Sequence, residues 1–381
     1  MEQQITVGFD AKRVVKNGTG LGSYGRTLVA DLALFDHLQL RLYAPDAGRD
    51  DLRCQVPEER PNVQLCYPEG GSIGSLRKLW WRTKGIVTQL QHDGVQVFHG
   101  LSGELPIGIR QSGIKSVVTI HDLIFIRHPE YYNPIDVQIY KWKFRQTLRE
   151  ADRIVAISEC TRRDIAELGG VPEERIDLIY QSCASRFSAD VSPLDCERVS
   201  KKYHLPTRYV LSVGSIEARK NALLTVRSLH WLPSDVSLVL VGKATKYTRE
   251  LIRVAQAENL HHRLVILHGV PDDDLPVIYA CAEVFVYPSR YEGFGIPIIE
   301  AIRMGLPVVG ATGSCLEEAG GPDNLYVNPD DAEEMAHSIA QLLKGTADRE
   351  ARIERSRDYI RRFENNDAAR RFDELYRALI H

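Results

Sequence analysis

Two short stretches place charged residues where they could hold a ligand. In SRYEGFGIPIIEAIRMG (residues 289–305), Glu292 and Glu300 stand eight residues apart, on either side of Gly-Phe-Gly and Pro297. Gly293 and Gly295 let the backbone pass close to a ligand, and Pro297 suits a first helical turn because it needs no donor there. Glu292 is then expected in a loop at the mouth of a cleft. Glu300 falls about one turn into the helix, pointing back towards its N-terminal end. Held in this way, the two carboxylates can accept hydrogen bonds from different hydroxyl-bearing parts of one ligand; the plainer alternative is that Glu300 caps or salt-bridges locally. In LSVGSIEARKNALL (residues 211–224), a strand and a turn at Gly214 lead to Arg219-Lys220 at a helix start. Two cations there oppose the helix dipole unless an anion sits between them. Arg can bind two oxygens at once and Lys acts as a point charge, which suits a diphosphate. The alternative is a solvated basic pair.

Three further stretches are weaker. His121 ends the apolar run SVVTIHDLIF (residues 116–125), and Asp122 follows it. A strand-end position makes His121 a candidate for a cleft edge, although a lone histidine is commonly structural. Gly20, Gly22 and Gly25 of NGTGLGSYGRTL satisfy GxGxxG, but about ten residues separate them from Asp10, whereas in a dinucleotide site the glycines follow the strand at once. The Gly20-Leu21-Gly22 segment therefore reads as a loop facing an anion in a cleft, as a loop needed for backbone geometry, or as part of an NAD(P) site with Asp46. Finally, SLRKLWWRTKGIVTQL (residues 75–90) reads as a packed helix whose basic outer face carries Arg77, Lys78, Arg82 and Lys84, with attachment to a membrane surface as the alternative. No HExxH or histidine cluster points to a metal.

The elements that position these residues are legible from the apolar runs. ITVGFDA, LQLRLYA, VQVFHG, SVVTIHD, RIVAIS and IDLIY in the first half read as strands; so do YVLSVGS, VSLVLVG, LVILHG, VFVYPS and PVVGA in the second. Nearly continuous apolar strands alternating with helices indicate parallel sheets covered on both faces. At 381 residues, two domains are expected. The polar SADVSPLDCERVSKKYHLP places the break, giving domains at 1–190 and 205–365, with a C-terminal helix at 366–381 returning to the first domain. Doubly wound sheets bind ligands at the carboxyl ends of their strands, where most of the residues singled out above lie. A net charge of −3 gives no support to nucleic-acid binding. Seven scattered cysteines without a CxxC pair, no signal-peptide pattern and no long apolar run suggest a cytoplasmic protein, or one at the inner face of a membrane.

Taken together and in this order, the motifs resemble those of the GT-B-fold glycosyltransferases of family 4, also called glycosyl transferases group 1. YEGFGIPIIEA matches that family's E-x7-E element at Glu292 and Glu300; VGSIEARKN, LHGVPDDDLPVIYACAEVFVYPS and PVVGATGSCLEEAGG reinforce it. TIHDLIFIRHPEYY and ADRIVAISECTRRDI resemble the bacterial mannosyl- and rhamnosyltransferase branch. The resemblance implies two Rossmann-like domains facing a central cleft, the first taking the acceptor and the second the donor. It implies retaining transfer of a sugar from a nucleotide-diphosphate donor, with no cofactor or metal, onto a glycan or lipid-linked acceptor in polysaccharide or O-antigen assembly. GDP-mannose is the expected donor and UDP-sugars the alternative. By this analogy Arg219 and Lys220 hold the diphosphate, with Gly214, Ser215 and the Gly293-Phe294-Gly295-Ile296 backbone beside it. Glu292 then binds the sugar, Glu300 the ribose, and the backbone at Val270 the base, while His121 lies beside the donor sugar. Attack is expected on the face that the phosphate leaves. Three positions depart from the family pattern: Ser215 where Arg is common, IYQSCAS in place of Pro-Asn-Gly, and Leu316 in place of proline. A degenerate nucleotide-sugar binder without turnover, or an NAD(P)-dependent oxidoreductase, would be the rival functions.

Overall fold

The computed structural model describes residues 3–68, 74–363 and 367–381. The chain divides into two units, Met1–Ser182 with Asn365–His381, and Cys183–Glu364. No helix among the described residues is long and apolar enough to cross a membrane.

The first unit is built on seven strands: β1 (Ile5–Asp10), β2 (Leu38–Tyr43), β3 (Val63–Cys66), β4 (Val97–Gly100), β5 (Lys115–Ile120), β6 (Arg153–Ala156) and β7 (Ile176–Leu178). They pair in the order β3-β2-β1-β4-β5-β6-β7, all parallel. The second unit holds β8 (Arg208–Val213), β9 (Val236–Val241), β10 (Leu264–Leu267), β11 (Val284–Tyr287), β12 (Val308–Ala311) and β13 (Leu325–Val327). Their order is β10-β9-β8-β11-β12-β13, again all parallel. Both sheets are doubly wound, with strand order reversing between β1 and β4 and between β8 and β11, the points where such sheets open a crevice. Two strands lie outside the sequence expectation, β3 and β13. Both are short sheet edges that are only partly buried, so neither shows the continuous apolar run of a central strand.

The central strands are buried on both faces. In the first unit Val7, Phe9, Val97 and Val117 pack towards one layer of helices, and Phe98, Val118 and Ile154 towards the other. The C-terminal helix Asp367–Ile380 belongs to the first layer through Ala369, Phe372 and Tyr376. The Tyr376 hydroxyl and the Thr119 hydroxyl each lie 2.7 Å from a ring nitrogen of His99. Burial pulls that histidine down to about 3, so its ring is neutral. The domain break falls earlier than expected, after Ser182, and the polar segment expected to hold it is largely helix. Pro193–Tyr203 is a helix with Pro193 in its first turn and Ser192 as its cap, accepting from the Asp195 N–H at 3.1 Å. Arg198, Lys202 and Tyr203 fasten that helix to Asp274 at 2.9, 2.6 and 2.8 Å.

Candidate functional site

The second unit gathers most of the expected site residues at the carboxyl ends of β8 and β11, the point where its strand order reverses. The chain leaves β8 through Gly214 at φ +146°, a region that favours glycine. A side chain on Gly242, just past β9, would meet the Gly214 carbonyl at 1.8 Å, so the two loops touch through bare backbone. Arg219 and Lys220 lie in the 3-10 turn Ala218–Lys220, ahead of the helix Ala222–Ser228 and not within its first turn. Asn221, left-handed at φ 55°, makes that junction, and its side chain donates to Pro329 O at 2.8 Å.

Three charges converge here. Lys220 Nζ lies 2.6 Å and Arg219 Nη1 3.0 Å from the same oxygen, Oε1 of Glu292. Lys220 also donates to the Tyr287 hydroxyl at 2.5 Å, and Arg219 to Tyr291 O at 2.7 Å. Burial alone would raise the Glu292 carboxyl, but the ammonium and guanidinium outweigh it and hold it at about 2. Burial would likewise lower both cations; Glu292 keeps them raised, so all three groups are charged at neutral pH. An ammonium has three donors and a guanidinium five, and the described contacts of Lys220 and Arg219 engage fewer than that. The triad is thus a charge cluster with donors to spare for a further anion. A small cavity lined by Gly214, Ser215, Lys220 and Tyr287 opens beside it.

The Gly-Phe-Gly turn comes next. Gly295 has φ +137°, and a side chain on it would stand 3.1 Å from Ala319 Cβ. Phe294 turns inward, packing edge-on against Phe363 at 5.2 Å, so only its backbone is available to a ligand. The Cys315 thiol donates to Phe294 O and, at 3.2 Å, to Glu292 O, holding the loop from below. Gly293 begins this turn, and Ile296, just after it, opens the helix Ile296–Arg303. Val270 lies in the loop after β10.

Glu300 stands on that helix and accepts from the Tyr279 hydroxyl at 2.9 Å. Burial pushes its carboxyl up to about 7, against the opposing effects of Tyr279 and Arg186. Two glutamates eight residues apart are therefore pushed in opposite directions, one fully ionised and the other close to half-protonated at neutral pH. A consequence for stability follows from the sign. The folded carboxyl keeps a proton that the unfolded chain releases near its usual 4.5, so stability falls as pH rises from there to about 7. Glu300→Gln should therefore melt higher than the wild type at pH 8, by roughly 2–4 °C for each kcal/mol relieved, and equally at about pH 4.5. Equal melting at pH 8 would mean that no such burden rests on Glu300.

The first unit holds His121 immediately after β5, with Nε2 2.8 Å from Leu101 O and Nδ1 2.7 Å from the Gln181 carboxamide. Burial pulls the ring down to about 4, so it is neutral. Gly20, Leu21 and Gly22 are not a loop but the first turn of the helix Gly20–Leu32. A side chain on Gly22 would meet Asn17 O at 1.8 Å, and one on Gly25 would meet Val14 at 2.8 Å. Close packing of this helix on the preceding Lys12–Lys16 helix accounts for those two glycines.

The segment 75–90 also differs from its expected form. Helices Ser75–Trp80 and Ile86–His92 flank a π-helical turn, Trp81–Gly85. Arg82, in that turn, faces inward, 2.6 Å from Asp10 and 2.8 Å from Glu104, while Lys78 pairs with Asp46 at 2.7 Å. Two of the four cations assigned to an outer face are thus committed within the unit. Lys143 reaches Glu104 at 3.0 Å. With Trp142, the charges of Asp10, Arg82, Glu104 and Lys143 line a cavity of about 50 Å³ near the carboxyl ends of β1 and β4. Carboxylates, cations and a half-exposed indole are the groups that hold sugar hydroxyls and a sugar's apolar face. Sequence reading missed this cluster because its members are spread over more than 130 residues of chain, although Asp10 ends a strand much as His121 follows one.

Comparison with known proteins adds independent observations. The family model of glycosyl transferases group 1 matches residues 197–359, and that of glycosyltransferase family 4 matches residues 19–182. O-antigen chain mannosyltransferase B of Escherichia coli is 30% identical over 349 residues, 87% of this chain and 89% of that protein. O-antigen chain mannosyltransferase RfbU of Salmonella typhimurium is 28% identical, over 68% of this chain and 67% of that protein. Among solved structures, a glycosyltransferase from Rickettsia africae matches with a TM-score of 0.78 and 18% identity, covering 100% of this chain and 99% of that one.

Proposed function

Because the chain belongs to the glycosyl transferases group 1 family, a GT-B-fold glycosyltransferase family, we propose that it transfers mannose from GDP-mannose to a glycan or lipid-linked acceptor in O-antigen or related polysaccharide assembly. The observation that carries this reading is the Lys220–Glu292–Arg219 triad at the point where the second sheet reverses. A diphosphate reaching it would take the donors now shared with Glu292, and the released carboxylate would turn to the sugar hydroxyls. Glu300 would hold the ribose, and the backbone at Val270 the base. The relatives' names supply the sugar, since both act as mannosyltransferases.

In the reaction the bond from the sugar's anomeric carbon to the diphosphate breaks, and its electron pair leaves with the phosphate. An acceptor hydroxyl attacks on the same face and gives its proton to the departing phosphate oxygen, so the anomeric configuration is retained. Lys220 and Arg219 stabilise the charge that develops, as fixed groups that need no reorganisation, which accounts for several kcal/mol of barrier without a metal. The first unit would take the acceptor, with Asp10, Arg82, Glu104 and Trp142 as its sugar subsite.

A thermal-shift screen of nucleotide sugars tests the donor. A ligand at a hundred times its Kd stabilises by about 2.7 kcal/mol, so GDP-mannose should raise the melting temperature more than UDP-glucose, UDP-galactose or NADH. A larger shift with a UDP-sugar would replace the donor. A shift with NADH alone would replace the function, and binding without turnover would mark a silent paralogue.

A further inference from the structure

His121 is held from three sides, and one of the groups holding it comes from the stretch that departs from the family pattern. Its Nε2 lies 2.8 Å from Leu101 O, and a carbonyl can only accept, so Nε2 carries a proton. The other nitrogen, Nδ1, lies 2.7 Å from the carboxamide nitrogen of Gln181, which is 8% exposed. A neutral ring protonated at Nε2 can only accept at Nδ1, and the carboxamide N–H is the donor facing it. Tyr24 closes the third side, its ring edge-on to the imidazole at 4.7 Å and its hydroxyl 3.3 Å from Thr119. Ring tautomer and ring plane are thus both set from outside the histidine.

We propose that Gln181 is the positioning residue of His121: it fixes the neutral, Nε2-protonated ring in one orientation, so that His121 serves the transfer as an oriented group that exchanges no proton with either substrate. Both ring nitrogens are occupied by the protein, which leaves neither to act as a base on the acceptor hydroxyl. The ring's lowered basicity, caused chiefly by burial, agrees with this. The titratable or charged groups around it are Tyr24 from the Gly20–Leu32 helix, Arg13 from the Lys12–Lys16 helix and His99 from β4. The kinetic part of this inference rests on the transferase reading above; the structural part does not.

The test uses the full chain with 15N-labelled histidine rings, the His121 signals being assigned by their loss in His121→Asn. In the wild type His121 should show the neutral Nε2-protonated pattern throughout pH 5.5–8. Gln181→Met, of similar size but without the donor, should give a mixture of tautomers. Its kcat with GDP-mannose should drop about tenfold while the donor KM changes less than about twofold. Gln181→Glu places a carboxylate opposite Nδ1, so the ring should take a second proton within that range and activity should rise with pH as the proton leaves. A wild-type ring protonated at Nδ1, or titrating like a free histidine, would overturn the proposal. So would variants that only melt earlier, with tautomer, pH profile and kcat unchanged. The spectra need no substrate, so failure of the transferase reading would appear as absent turnover beside an intact tautomer result.

Discussion

Lys220→Met should lower kcat by about 10²–10³, the cost of removing one fixed group aimed at developing charge. The ammonium supplies a full charge 2.6 Å from Glu292 and 2.5 Å from the Tyr287 hydroxyl, and methionine keeps most of its length without that charge. Because the same group is expected to hold the diphosphate in the ground state, the affinity for GDP should fall as well. The variant should also lose stability, by less than the roughly 3–5 kcal/mol that follows removal of one partner from an isolated buried pair, since Arg219 stays 3.0 Å from the carboxylate. Glu292 would then lose its strongest stabilising neighbour, and its carboxyl would rise from about 2. Steady-state kinetics, GDP titration calorimetry and a melting curve separate the three effects. Unchanged kcat with lost stability would leave Lys220 a structural ion-pair partner only.

Glu292→Gln carries the second large effect, with the opposite sign for binding. The carboxylate and the expected diphosphate compete for the same two cations, so removing its charge should tighten GDP severalfold. Turnover should nevertheless fall by about 10³, because the group released to orient the sugar is gone. Tighter product binding beside collapsed catalysis is a pairing that simple misfolding does not produce. GDP bound more weakly than by the wild type would show that Glu292 supports the phosphate site and does not compete for it.

What could be read from the sequence divides along physical lines. The central strands and the local motifs were legible, because burial on both faces gives a continuous apolar run and because Gly214, Gly295 and Pro297 mark backbone that only certain residues tolerate. The edge strands β3 and β13 were not, since half-exposed residues carry a weak pattern. The helix Pro193–Tyr203 lies in the stretch whose polarity marked the domain break and showed no helix, although Ser192, Pro193 and Asp195 spell an N-terminal cap. Its polar side chains are there to reach Asp274, more than 70 residues away. Within the site, Glu292 and Glu300 were picked out by spacing, but their opposite acidities depend on groups far along the chain: Lys220 and Arg219 lower the one, while enclosure raises the other and outweighs the Tyr279 hydrogen bond. Arg82 shows the same limit. On a regular helix it joins an outward basic face; the π-helical turn sends it inward to Asp10.

The central claim is that two fixed cations and the carboxylate between them discharge a nucleotide-diphosphate sugar. Its most direct measurement is release of GDP from GDP-mannose by the purified chain in the presence of EDTA and a lipid-linked glycan acceptor, for the wild type, Lys220→Met and Glu292→Gln side by side. The account predicts acceptor-dependent release by the wild type that EDTA leaves intact, reduced at least about 10²-fold in both variants. Release that proceeds undiminished in both variants would contradict it.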